Sequence, residues 1–301
     1  MPAQRACLPD GRWHFQHGPI DLVIGAEGDA DAVGTAHESA WKRFEIVLPE
    51  LVGELPALRR RIDGPCSLHG VVSRRMWAAC APYAAAFITP MAAVAGAVAQ
   101  ELIDVYEREG LRRAWVNNGG DIALHLAPGA SVRIGLFADL ARFDPADPTI
   151  RIDGHFDIRS DMPVRGVATS GWRGRSFSLG IADSVTVLAR TAAQADAAAT
   201  VIANAVNADD PRIQRRPANE IKDDSDLGSL LVTVEVPALD ADVVQAALRR
   251  GERRARELQR AGLIHAAVLV CQHQVVRVES LAATTATTTT ERATEPCSVL
   301  A

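Results

Sequence analysis

The sequence predicts an α+β protein with a mixed, largely antiparallel sheet and packed helices. Three observations predict it. Strand-like segments come in pairs joined by turn residues, as residues 12–15 and 20–24 do around Gln16-His17-Gly18-Pro19. Helical runs follow these hairpins instead of alternating one for one with strands, so strict βαβ order is missing. The composition, 48% hydrophobic and 23% charged over 301 residues, is that of a globular chain with ample apolar content for a core. One domain over 1–281, as a unit or as two intimately packed halves, accommodates these elements. A Thr- and Ala-rich segment, 282–301, has little to bury and reads as a disordered tail.

In order along the chain, Ala36, Ala40, Phe44, Val47, Leu48 and Leu51 recur at helical steps after the first hairpin. A short helix holds Met76, Trp77 and Cys80. Thr89-Pro90 reads as a hydroxyl cap followed by proline at the first helical position, opening a helix that runs to about Glu109 and stops at Gly110. Residues 114–117 and 122–126 are strands around the polar turn Asn118-Gly119-Gly120-Asp121, and 132–137 is another. Residues 142–157 are rich in Asp and Pro and form a variable excursion. A β-branched strand at 183–189 precedes an alanine-rich helix at 191–206. A polar loop spans 211–225, followed by a strand at 230–236, an amphipathic helix at 240–261 ending at Gly262, and a last hairpin from 266–270 and 275–278.

The net charge of −5 argues against a nucleic-acid binder, which carries a basic surplus. Arg249, Arg250, Arg253, Arg254 and Arg256 are interspersed with Glu252 and Glu257 on one helix, a solvated face. The five cysteines are widely spaced without a C-x-x-C pair, so no disulfide framework or zinc site is indicated and a cytoplasmic setting is expected. No secretion leader is evident, and the longest apolar run, 84–99, contains Pro90 and falls short of a membrane span.

Two small polar stretches can carry chemistry. Asn117, Gly119, Gly120 and Asp121 form the first, where glycine lets backbone approach a ligand closely; a plain hairpin turn has the same composition. Ala168, Thr169, Ser170 and Gly171, followed by Arg173 and Arg175, form the second, with hydroxyls and guanidinium forks suited to an anion. A polar turn with two surface arginines reads equally well. Asp196 and Thr200 lie four apart on the alanine-rich helix, so they share a face and can offer two oxygens to Mg²⁺. From spacing alone, an acidic residue near a helix N-terminus and a core-facing threonine serve as well. Trp115 and Trp172 flank the two polar stretches and can stack on a flat ring or simply pack. No G-x-S-x-G elbow, G-x-G-x-x-G or G-x-x-x-x-G-K-[ST] is present.

Taken together, the order Asn117-x-Gly119-Gly120-Asp121-Ile122, Ala168-Thr169-Ser170-Gly171, Ser184-Val185-Thr186-Val187 and Ala195-Asp196-Ala197-Ala198-Ala199-Thr200 resembles the ApbE-like superfamily of FAD:protein FMN transferases. The strings from Ile88 to Gly96 and from Gly171 to Gly180 resemble an uncharacterised prokaryotic branch of it. The resemblance covers the middle third of the chain. It implies a T-fold-like ApbE-type architecture of two related halves packed across a site. It implies Mg²⁺ on Asp196 and Thr200 at the pyrophosphate of FAD or another nucleotide, with Asp196 catalytic. Asn117, Gly119, Gly120, Asp121, Ala168, Thr169, Ser170, Gly171, Arg173 and Arg175 would line the cofactor pocket, and a protein acceptor would receive FMN. T-fold-like sheets also associate through edges into homo-oligomers. The chain departs from the transferase pattern in one place. The His-Ile-x-Asp-Pro-x-x-Gly segment expected between Gly171 and Ser184 is replaced by Ser178-Leu179-Gly180-Ile181-Ala182-Asp183. The alternative reading is therefore a ligand-binding or accessory protein that keeps the scaffold without transfer.

Overall fold

A computed structural model describes residues 2–136, 154–174, 176–280 and 299–300. The chain opens with β1 (Gln4–Cys7), β2 (Trp13–His17) and β3 (Ile20–Gly28), then α1 (Ala30–Leu58), α2 (Val71–Cys80) and α3 (Val94–Ile103). Next come β4 (Leu111–Asn118), β5 (Asp121–Leu126), β6 (Ser131–Leu136), β7 (Gly154–Arg159), β8 (Gly166–Ser170) and β9 (Ser184–Ala189). The remainder is α4 (Ala192–Ala205), β10 (Gln214–Pro217), α5 (Ala218–Ile221), β11 (Leu231–Glu235), α6 (Ala241–Arg260), β12 (Ala266–Cys271), β13 (Gln274–Val278) and β14 (Val299–Leu300).

Among the described residues, nine strands form one sheet in the order β1-β2-β3-β4-β5-β8-β9-β12-β13, and every neighbouring pair is antiparallel. The predicted α+β class with a largely antiparallel sheet is what the structure shows. Because strand side chains alternate between faces, the sheet separates two apolar clusters. Ala114, Val116, Ala123, Ala168, Val185 and Val187 face the helices, in one cluster with Phe44, Leu102 and the alanines of α4. Trp115, Ile122, Leu124, Val167 and Leu188 face a smaller cluster with Val132, Ile134 and Ile158 of β6 and β7.

Several expectations are corrected. The helix expected from Thr89-Pro90 to Glu109 is a 3₁₀ turn at Pro90–Ala93, then α3, then a second 3₁₀ turn at Asp104–Tyr106. Thr89 does not cap it; its buried hydroxyl donates to the Asp226 carboxylate across the fold. Ala168–Ser170, read with Gly171 as a polar turn, instead lie in β8, which is paired on both sides. Within the loop expected over 211–225 lie β10 and α5, and among the described residues β11 pairs with β10 in a two-stranded sheet outside the main one. The excursion at 142–157 falls largely outside the described residues, although Gly154 begins β7. The tail at 282–301 also lies outside them, except that Val299 and Leu300 pair parallel with β6.

α1 shows how the helix layer is locked. Asp29 caps it by accepting from the Asp31 and Ala32 N–H groups, and Ala36, Ala40, Phe44, Val47 and Leu51 all face the core. Further on, Glu54 accepts the His69 and Gly70 N–H groups and so fixes the start of α2. Glu101 of α3 pairs with Arg43 of α1 at 2.7 Å and with Arg75 of α2 at 3.3 Å. Cys7, Cys66, Cys80 and Cys271 are free thiols.

Candidate functional site

Antiparallel pairing brings the two polar stretches to one rim of the sheet. β4 ends and β5 begins at the Gly119-Gly120 turn, where both glycines have positive φ (+65° and +108°), a conformation that favours glycine. The Asn117 side chain accepts the Gly120 N–H at 2.8 Å and sets the turn. A Cβ at Gly120 would meet nothing within 4 Å, so its outer side is open. β8 leaves the sheet beside this turn, and the Thr169 N–H donates to Asp121 Oδ1 at 3.2 Å. Gly171 then runs so close to the next segment that a Cβ there would lie 2.2 Å from the Asp183 carbonyl oxygen.

Strand alternation sorts these side chains. Asn118 and Asp121 stand directly opposite each other in the β4–β5 register, on the face of Val116 and Ala123, towards the helices. Asn117 and Thr169 take the other face, and the Thr169 hydroxyl bonds the buried Thr186 hydroxyl at 2.9 Å. Thr169 therefore offers its backbone on the helix side, not its hydroxyl.

The rim is joined to α4 through the start of α3, which sequence reasoning did not single out as part of the site. Asn118 Nδ2 donates to the Ala95 carbonyl oxygen at 3.1 Å. One residue on, the Gly96 N–H donates to Asp196 Oδ2 at 2.9 Å. Only glycine permits this approach, because a Cβ on Gly96 would lie 2.4 Å from the Ala192 carbonyl oxygen. The signal was a lone glycine inside an Ala and Val run.

Asp196 is hemmed in by protein yet keeps some surface open. Burial pushes its carboxyl up to about 7, against the pull of the Gly96 and Ala95 N–H groups. Among the described residues no Lys, Arg or His is paired with it. Cys80 is close enough for the Asp196 charge to add to the burial that raises its thiol. Thr200 is partly exposed one turn further along α4. Among the described residues no three His, Cys, Asp or Glu side chains cluster around a metal-sized space. One carboxylate and one hydroxyl is nevertheless a donor set suited to Mg²⁺, which keeps waters and takes phosphate oxygens.

Arg173 lies 4.9 Å above the Trp172 ring and 3.7 Å from Asp183; Arg175 lies outside the described residues. Asp183 also accepts Trp172 Nε1 at 3.2 Å and the Gln272 N–H at 2.6 Å. It thus ties the loop after β8 to the β12–β13 turn, where Gln272 and His273 both have positive φ (43° and 66°). A separate open crevice of about 520 Å³, lined by Glu107 to Leu111 and His125 to Pro128, lies at the opposite end of β4 and β5.

The fold and site define a class: α+β proteins whose antiparallel sheet holds Gly-Gly-Asp and Ala-Thr-Ser-Gly segments at one rim, over a helix bearing an Asp and a Thr one turn apart. More particularly, the family model described as AbpE bacteria matches residues 5–278, and the chain belongs to that family. It is 38% identical over 211 residues to a UPF0280 protein of Methanopyrus kandleri, covering 68% of this chain and 78% of that one. It is 37% identical over 118 residues to a UPF0280 protein of Methanospirillum hungatei, covering 39% of this chain and 45% of the relative. Among solved structures it is similar to the apo flavinyl transferase ApbE of Pseudomonas stutzeri, at 13% identity and a TM-score of 0.45 over 93% of this chain and 95% of that one. It is also similar to the ApbE protein of Thermotoga maritima, at 11% identity and a TM-score of 0.47 over 92% and 96%. No described helix is long and apolar enough to cross a membrane.

Proposed function

We propose that the protein binds FAD or a related nucleotide with Mg²⁺ at Asp196 and Thr200, and transfers FMN from FAD to a hydroxyl of a protein acceptor. The observation that carries this reading is the Asp196 carboxylate, desolvated at the start of α3 with no cationic partner among the described residues and a hydroxyl one turn away. A carboxyl raised by burial is partly protonated at neutral pH, and a cation beside it would favour its charged form.

Mg²⁺, when bound, would neutralise charge developing on the pyrophosphate. Asp196 and Thr200 hold it. The Gly96 N–H fixes the orientation of the carboxylate. The Gly119-Gly120 turn, with its open outer side, admits the ligand close to backbone, and Asp121 holds the β8 end against that turn. In the transfer, the acceptor hydroxyl forms the new P–O bond, the pyrophosphate bond breaks, AMP leaves and the hydroxyl proton passes to solvent. The free cysteines suit a protein of the cytoplasm, acting alone or as a homo-oligomer.

A second reading, binding without transfer, is favoured by Asp183. It stands where transferases carry their His segment, and its carboxylate holds Trp172 and Gln272. The test incubates the protein with FAD and Mg²⁺, assays AMP, and measures metal-dependent binding of FAD. AMP release with an acceptor, lost in Asp196→Asn, supports transfer. Metal-dependent binding without AMP supports the second reading. Absence of both AMP release and metal-dependent binding refutes both readings.

A further inference from the structure

We infer that Trp172 is the platform on which the planar heteroaromatic ring of the ligand stacks, taking the place now held by Arg173, and that Asp183 is the positioning residue that fixes the platform. This rests on the proposed nucleotide site and extends it to the part of the ligand remote from the metal.

Two tryptophans flank the rim, and the fold decides between them. Trp115 points away from the helices into the small cluster under β6 and β7. Trp172 packs against the large cluster on the helix side, to which the alanines flanking Asp196 also belong. Of these two, Trp172 is on the carboxylate's side of the sheet. It follows Gly171 directly, so it sits at the end of β8, whose Thr169 N–H is bonded to Asp121 beside the Gly119-Gly120 turn.

The ring is held at its polar edge. Its Nε1–H donates to Asp183 Oδ1 at 3.2 Å, while Asp183 Oδ2 takes the Gln272 N–H at 2.6 Å. Gln272 is itself anchored, accepting from the Leu239 N–H and donating to the Pro237 carbonyl oxygen. Pinned in this way, the indole presents a fixed face. That face is covered by a flat, delocalised cation, the Arg173 guanidinium, 4.9 Å from the ring centroid. Arg173 is exposed at its loop position and lies 3.7 Å from Asp183; a ligand ring of similar thickness would displace it from the indole. Stacking of a nucleic base on an aromatic side chain contributes enough to change affinity by roughly tenfold or more. Isoalloxazine and adenine share this chemistry, and separate probes distinguish them.

The test titrates the full-length protein with riboflavin, with adenosine, and separately with Mg²⁺ and ADP. Riboflavin emission is the optical readout and calorimetry serves the other two. The expected result is that one of the two ring probes binds without metal. Trp172→Leu weakens that probe at least tenfold and leaves Mg²⁺–ADP binding within threefold, while Trp172→Phe keeps most of the affinity. If riboflavin is the ring, its emission is quenched on wild type and less on Trp172→Phe. Asp183→Ala loosens binding of the ring probe, and Asp183→Asn, which keeps an acceptor for the indole N–H but loses the one for the Gln272 N–H, restores it in part. Unchanged ring affinity in Trp172→Leu overturns the proposal, as does failure of both ring probes on wild type. Mg²⁺–ADP binding that is absent, or indifferent to Asp196→Asn, instead counts against the metal site and leaves a Trp172-dependent ring site standing.

Discussion

Gly96 donates its backbone N–H to the carboxylate of Asp196 across 2.9 Å, which makes a residue of α4 the cap of α3. α3 has no side-chain cap of its own at Ala93. The two helices meet so closely that Gly96 has no room for a side chain.

Gly96→Ala places a methyl 2.4 Å from the Ala192 carbonyl oxygen and 2.9 Å from Asp196 Cβ, so α3 and α4 must separate. Overpacking of this kind costs about 1–3 kcal/mol. Gly53→Ala, in α1 with nothing within 4 Å, is the control and gains roughly 0.5–1 kcal/mol from helix propensity. Urea midpoints of the two variants should move in opposite directions; a Gly96→Ala midpoint equal to wild type contradicts the close approach.

The Glu101 carboxylate joins three helices through Arg43 and Arg75, and only 12% of its side chain is exposed. Glu101→Gln keeps the shape and removes the charge, leaving Arg43 to Glu50 and Arg75 to Asp104. The expected loss is about 1–3 kcal/mol. The exposed pair of Glu252 with Arg256 on α6 should cost about 0.3–0.5 kcal/mol when Glu252 is made Gln. Equal losses in chemical denaturation would show that burial is not what distinguishes the two.

His37 is buried against Tyr106, with Nδ1 2.8 Å from the phenol oxygen. Burial lowers its pKa, opposed by the nearby Glu38 charge. A histidine depressed in the folded state adds stability above its unfolded value near 6.5, and that contribution is lost as pH falls through the folded value. Melting temperatures should therefore decline on acidification below about pH 6.5. His37→Gln, which cannot titrate, should flatten that decline relative to wild type. Parallel profiles for the two proteins would remove His37 as the source.

Much of this molecule could be read from residue patterns, because most of its elements are announced locally. The β2–β3 hairpin shows its turn, α6 shows its periodicity, and Thr191 caps α4 through the Gln194 N–H as a hydroxyl before an alanine run should. What escaped was set by distant partners. Thr89 looks like a cap but reaches Asp226 instead. Ala168–Gly171 looks like a turn because it is small and polar, yet β5 and β9 flank the strand that holds Ala168–Ser170. At the site, the spacing of Asp196 and Thr200 gave their shared face, but α3 as the link to Asn118 depended on Gly96 meeting a backbone a hundred residues away. That Asn117 and Thr169 turn from the helices follows from strand register, which no single segment reveals.

The chain leaves the large sheet at Gly28 and returns to it at Leu111, after all of α1, α2 and α3. The β2–β3 and β4–β5 hairpins are local and can close early, but the seam between β3 and β4 needs that whole intervening stretch to be drawn together first. Long-range pairing of this kind slows refolding. During synthesis, the opening hairpin must wait with one margin unsatisfied until Leu111–Asn118 has emerged from the ribosome.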